Sequence, residues 1–331
     1  MTKIEETREL LKQMTEDERL ELIRLCNVEN DKLKIDKVYL QLNNNHHCPH
    51  CGSNKICKNG FLHGKYQQFK CHNCNKNYSI RTNTIFCHSK KSIQIWQEYI
   101  ELFSQGLSLR KIVEKMNGKI KLQTSFYWRH KILKVLSNIN DGGNNKLGRI
   151  IEADETFFEE SQKGSRKMTR KARKRGYSSY VGDKKTKICV LTTIDHNKSS
   201  FIKPVWFGGL EKEDVILLQR HLVKDGILII DENRTYRNLH DIKLKSLKFG
   251  KLQSKVYHLN NINSFHSHLK KFMIRFNGVA TKYLDYYVNY FQSMKSKIDV
   301  FNMILDSNLQ YGIVDARNKR VCFDKIVNGM N

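Results

Sequence analysis

Ile150-Ile151-Glu152-Ala153-Asp154-Glu155-Thr156 is an apolar run that ends in carboxylates within a basic chain. Gly226-Ile227-Leu228-Ile229-Ile230-Asp231 repeats the device. Each reads as a buried strand, Arg149–Asp154 and Gly226–Asp231, carrying an Asp to its C-terminal end, where a sheet places its site. Between them lie two further predicted strands, Lys187–Asp195 and Ser200–Trp206, joined at the hairpin turn His196-Asn197-Lys198. Glu213–Leu222 reads as a helix, Val256–Leu259 as another strand and Ser264–Phe276 as a helix. Strands first, then helix alternating with strand, describe a mixed-sheet α/β domain.

Two carboxylates on neighbouring strands can hold Mg²⁺, and a metal pair about 4 Å apart can clamp both reacting oxygens of a phosphodiester displacement. An Asp at a strand end is also a common turn or cap residue, so each alone says little. Asn263-Ser264-Phe265-His266-Ser267-His268-Leu269-Lys270 supplies a third piece. Asn263 and Lys270 stand seven apart, about two helical turns, so both fall on one helix face. Asn263 reads equally as the N-cap of this helix or as a neutral metal ligand. Lys270 reads as a phosphate contact or as one solvated lysine among several.

Upstream, Cys48-Pro49-His50-Cys51 and Cys71-His72-Asn73-Cys74 are two C-x-x-C pairs at the spacing that folds round one tetrahedral Zn²⁺. Four thiolates leave no open position, so this zinc is structural. Tyr66–Lys70 and Asn77–Ile85 have strand character, and Cys57 and Cys87 read as bystanders. Residues 2–26 look helical in two pieces, with a capping box from Thr15 to Glu18. Ile95, Trp96, Tyr99, Ile100 and Phe103 mark a helical face. Ser108 can cap a helix, Asn117-Gly118 can turn the chain, and Thr124 can cap a second helix through Leu136. That is either a DNA-binding helix-turn-helix, with Gln123, Ser125, Tyr127 and Arg129 as reading residues, or a plain helical hairpin. Residues 163–176 hold a dense Lys/Arg run, including Arg170, Lys171, Arg173, Lys174 and Arg175. It reads as an arm laid along phosphates or as a solvated charge run.

These features divide the chain into an N-terminal helical segment (1–43), a zinc ribbon (44–87), a helix-turn-helix region (88–140), a catalytic domain (146–300) and a C-terminal tail (301–331). The balance of 59 Lys+Arg against 33 Asp+Glu, a net charge of +26 over 331 residues, points to a polyanionic partner. No apolar leader or membrane-length run occurs, so a cytoplasmic location and no membrane partner are expected.

The order C-x-x-C…C-x-x-C, helix-turn-helix, E-x-D-E-T, I-I-D with R-x-Y-R, then N-S-F-H-S-H-L-K and R-F-N-G-V-A-T-K-Y-L resembles bacterial insertion-sequence transposases. Within these it is similar to the zinc-ribbon class with an Asp-Asp-Asn-Lys signature, related to the Merlin elements. The resemblance covers about residues 45–291. It implies an RNase H-like catalytic domain that binds two Mg²⁺, with Asp154, Asp231 and Asn263 as ligands and Lys270 as the signature lysine. Glu232 stands where such chains often have glycine. The implied activity is Mg-dependent cleavage at element ends and strand transfer into target DNA. The implied partners are double-stranded DNA, in terminal inverted repeats and target, and further copies of the chain on that DNA. A DNA-binding regulator with an inactive core, or a nuclease without strand transfer, are the alternatives.

Overall fold

The structure, a computed structural model, describes residues 3–22, 26, 47–62, 66–79, 81–82, 84–141, 146–165, 167–168, 184–247 and 257–295. Packing divides these into two units, one reaching Glu101 and one starting at Leu102. No helix among the described residues is long and apolar enough to cross a membrane.

The first unit begins with helix α1 (Lys3–Gln13), and residues 16–22 are helical again. The capping box forms: Thr15 N donates to Glu18 Oε2 (2.8 Å) and Glu18 N to Thr15 Oγ1 (3.4 Å). Strands β1 (Ile56–Leu62), β2 (Tyr66–Cys71) and β3 (Asn77–Ser79) make an antiparallel sheet in that order. Its apolar core is small, built on Cys48, Cys71 and Tyr78 with Ile56, Phe69 and Cys74 against them. Strand β1 is an addition to the expected elements. The expected strand to Ile85 stops at Ser79, because Thr82 Oγ1 captures the Ser79 N–H and the chain coils through turns at Thr84 and Cys87. Helix α2 (Ile93–Ser104) then buries Ile93, Trp96, Tyr99, Ile100 and Phe103 on one stripe.

The second unit carries helices α3 (Leu109–Lys115) and α4 (Leu122–Asp141) ahead of its sheet. Ser108 caps α3 by accepting from Lys111 N. Asn117 and Gly118 both turn with positive φ (47° and 75°), which Gly adopts freely and Asn tolerates. Helix α4 starts two residues before the expected cap and runs five beyond Leu136.

Five strands follow: β4 (Ile150–Glu159), β5 (Lys187–Asp195), β6 (Ser200–Phe207), β7 (Gly226–Ile230) and β8 (Ile242–Ser246). Their order in the sheet is β6-β5-β4-β7-β8. Pairings β6–β5 and β5–β4 are antiparallel, while β4–β7 and β7–β8 are parallel. The mixed α/β architecture therefore stands, with β4 at its centre. Strand β4 runs to Glu159, five residues past Asp154, because β5 pairs with it along its full length. The expected strand near Val256–Leu259 is absent at 257–259, and residue 256 lies outside the described residues. The fifth strand is β8 instead.

Side chains alternate along β4. Ile151 and Ala153 join Leu191, Leu228, Ile230 and Tyr236 in a core cluster under helix α5 (Lys212–Gln219) with its Val215 and Leu218. The opposite face is covered by α6 (Asn260–Ile274), and α7 (Leu284–Lys295) lies against β6 and α4. Asp285 accepts from Ser137 of α4 and pairs with Lys203 of β6 (3.3 Å).

Candidate active site

Strands β4 and β7 bring the two aspartates together. Glu152 pairs with Ile229 in the parallel register, and Asp154 and Asp231 each stand two residues further on. The paired register ends at Glu152 and Ile229, and both aspartates lie just beyond it, close enough to the same Glu155 to act on it. Asp231 follows the last residue of β7 and is exposed. Its Oδ1 accepts from Asn233 N (3.0 Å) and its carbonyl from Ser246 Oγ (3.1 Å). Asp154 is half-buried. The negative charges of both aspartates act on the neighbouring Glu155, whose carboxyl is held above its usual range chiefly by burial.

Helix α6 is docked on β4 at two points. Glu152, with no exposed surface, accepts from Asn261 Nδ2 (2.5 Å) and Ile262 N (3.0 Å) in the first turn of the helix. A carboxylate suits this position because unpaired N–H groups and the helix dipole meet it there. One turn on, His266 places Nδ1 3.7 Å from Asp154 Oδ2 and joins Nε2 to Thr192 Oγ1. The Thr192 hydroxyl donates to the Asp154 carbonyl (2.9 Å), so Nε2 is the donor to Thr192 and Nδ1 turns a lone pair to Asp154. Burial, then the charge of Lys270, pushes His266 down to about 4, so the ring is neutral at neutral pH.

Helix α6 begins at Asn260 with Leu259 in the cap position, so Asn263 is not its N-cap; its backbone N–H already donates to Leu259 O (3.1 Å). Asn263 and Lys270 are exposed and lie within about 60° of His266 round the helix. They therefore flank, on the exposed side, the residue that meets Asp154.

The cysteine cluster forms separately, in the first unit. The Sγ atoms of Cys48, Cys51, Cys71 and Cys74 lie within 4.8 Å of one another, and no other such group occurs among the described residues. Cys48–Cys74 and Cys51–Cys71 are 3.7 and 3.6 Å apart. A tetrahedron with metal–sulfur bonds of about 2.3 Å has edges of about 3.8 Å, so the four thiols fit one metal ion. Within the group the thiolate charge gathers on Cys71, pulled down to about 6 first by the backbone N–H of Cys74, while Cys74 is pushed up to about 11, the N–H of Lys76 being outweighed by burial and the neighbouring thiols. Cys57 lies outside the group.

On α4, Gln123 and Tyr127 are exposed. Ser125 and Arg129 are not: they are 0% and 4% exposed, so neither can be a reading residue. They belong to the buried stripe with Trp128, Ile132 and Leu133, and Arg129 Nη2 donates to Leu107 O (2.7 Å). Arg170, Lys171, Arg173, Lys174 and Arg175 lie outside the described residues.

Residues 146–294 match the family model described as the ISXO2-like transposase domain. The match supports an insertion-sequence transposase. It contains the whole five-stranded sheet and all of Asp154, Asp231, Asn263 and Lys270. Among solved structures, the Mos1 transposase paired-end complex with left transposon end is similar at 12% identity and TM-score 0.23. A pre-cleavage Mos1 transpososome is similar at 10% identity and TM-score 0.21. Each comparison covers 68% of this chain and 82% of the other. No curated protein matches the chain.

Four residues round the two aspartates escaped sequence reasoning: Glu152, Glu155, Tyr236 and His266 as a contact of Asp154. The available signal was the placing of acids within a buried strand. Such acids are costly unless hydrogen-bonded, so each demanded a partner.

Proposed function

We propose that the chain is a DNA transposase that binds the ends of an insertion sequence, cleaves them with Mg²⁺ and joins the freed ends to target DNA. The reading is supported by the parallel pairing of β4 with β7, beyond which Asp154 and Asp231 both act on Glu155, and by His266 of α6 set against Asp154. An antiparallel trio followed by parallel strands supports an RNase H-like domain.

Asp154 and Asp231 offer carboxylate oxygens to the metal ions, and Asn263 an amide oxygen from α6. Mg²⁺ bound there would stabilise the attacking and leaving oxygens of the in-line displacement. Water attacks the phosphorus at the element end and the 3′-hydroxyl leaves. That hydroxyl then attacks a target phosphodiester at the same site and displaces the target strand's own 3′-oxygen, with no covalent protein intermediate. Lys270, on the same helix face, holds a DNA phosphate near the cut. Neutral His266 packs beside Asp154 without competing for its charge.

A structural Zn²⁺ held by Cys48, Cys51, Cys71 and Cys74 makes the first unit's sheet a zinc ribbon. Helices α3 and α4 form the helix-turn-helix, with Gln123 and Tyr127 as exposed reading residues. The basic run from Arg170 to Arg175 tracks phosphates. Two ends must be cut and joined together, so the DNA-bound form is at least a dimer, in the cytoplasm on the nucleoid.

The test is cleavage and joining of labelled DNA carrying the element's own ends. Asp154→Asn and Asp231→Asn are expected to lose cleavage by at least about a thousandfold while retaining end binding in gel shifts. Cleavage retained in both variants would sink the assignment. End binding without cleavage by the wild type would indicate a regulator, and cleavage without joining a nuclease.

A further inference from the structure

Glu155 follows Asp154, so its side chain leaves the sheet on the opposite face, at the margin of the core cluster under α5. There its Oε1 accepts two hydrogen bonds, from the hydroxyl of fully buried Tyr236 (2.8 Å) and from Asn233 Nδ2 (3.1 Å). Asn233 is tied in two further directions. Its N–H donates to Asp231 Oδ1 (3.0 Å), and its Oδ1 accepts from Thr235 N (3.0 Å), capping the short turn Arg234–Asn238 that carries Tyr236. The result is a closed circuit from Asp154 through its neighbour Glu155 to Asn233, and from Asn233 to Asp231.

That circuit has a physical purpose. Asp231 stands beyond the last residue of β7, where ladder bonds no longer fix it, and its charge repels Asp154. A pair of metal-binding carboxylates must nevertheless be held within about 0.5 Å of working geometry. Glu155 is joined to Asp154 along the chain and to Asp231 through Asn233. It is not placed as a ligand, since it points away from the face of Asp154 and Oε1 already takes two donors.

We propose that Glu155, clasped by Tyr236 and Asn233, is a positioning residue that fixes the spacing of the Asp154 and Asp231 carboxylates for metal binding. The inference rests on the reading that these two aspartates hold the metal ions.

The test is calorimetric titration of Mn²⁺ into the zinc-loaded full chain, without DNA and without turnover. Asp154→Asn serves as the control for the parent reading and is expected to abolish binding at the carboxylate site. Tyr236→Phe removes one hydroxyl, and its affinity for Mn²⁺ is expected to fall about tenfold. Glu155→Ala is expected to fall at least as far. Glu155→Gln, whose amide oxygen can still accept both bonds, is expected to recover most of the loss. Wild-type affinity in Tyr236→Phe, with binding lost in Asp154→Asn, would overturn the clasp alone. A loss in Glu155→Gln equal to that in Glu155→Ala would also overturn it, since a charged ligand rather than a positioning acid would then be at work. Undiminished binding in Asp154→Asn would instead remove the parent reading, and the clasp with it. Tyr236→Phe keeps the buried ring, so the decisive comparison does not depend on Glu155→Ala folding.

Discussion

His266 is buried against Asp154 and Thr192, and its folded pKa is depressed to about 4 from the ordinary 6.5. The unfolded chain therefore takes up the proton first as pH falls. The stability this site contributes is complete above about 6.5 and is lost as pH falls through about 4. Its upper bound is roughly 3 kcal/mol, at about 1.4 kcal/mol per pH unit of difference. In metal-free protein, thermal melts from pH 7 to pH 4 are expected to fall less steeply for His266→Gln than for wild type. Parallel slopes would contradict the assignment. At this scale Asp154 and Asp231 stood out in the sequence as acids closing apolar runs in a basic chain, although Asp154 lies within β4 and not at its end. Glu155 stands in the same motif, yet its role was hidden, since its partner Tyr236 lies 81 residues away in sequence. Ser125 and Arg129 were misleading for a related reason. Polar residues on a helix look exposed until the stripe of Trp128, Ile132 and Leu133 shows which way the helix is turned.

Strand β8 shows what hides an element. Ile-Lys-Leu-Lys-Ser alternates as an edge strand should, with lysines that blunt pairing to another chain. In so basic a sequence that alternation does not stand out. Helix α6 begins three residues before Asn263 because the Asn261 side chain and the Ile262 N–H are claimed by Glu152, more than a hundred residues earlier. By contrast the gathering of the four cysteines was legible, since two C-x-x-C pairs at this spacing can close on one centre. The sheet that carries them has a small apolar core, to which a structural zinc would add on the order of 10 kcal/mol. Purified protein is expected to contain one zinc per chain. Cys71→Ser should lose it, together with the hydrogen-exchange protection of residues 56–79, while residues 150–246 keep theirs. Cys57→Ala should retain the metal. Zinc content unaffected by Cys71→Ser would refute the four-cysteine site.

Across the whole molecule, the mixed α/β class followed from the succession of strands and helices, and the sheet order did not. Short connections favour neighbours in sequence, but β7 returns to lie beside β4, and only the paired aspartates hinted at it. The net charge of +26 points toward a polyanion without saying where on the chain it would lie. The proposed function stands or falls on Asp154 and Asp231 holding one divalent-metal centre for phosphoryl transfer. The most direct test replaces each in turn by cysteine and assays cleavage of labelled element ends in Mg²⁺ and in Mn²⁺. Thiolate binds Mg²⁺ poorly and accepts softer Mn²⁺. Asp154→Cys and Asp231→Cys are therefore expected to be inactive with Mg²⁺ and to regain cleavage with Mn²⁺. Cleavage by both variants at the wild-type rate in Mg²⁺ would contradict a metal centre on these two aspartates.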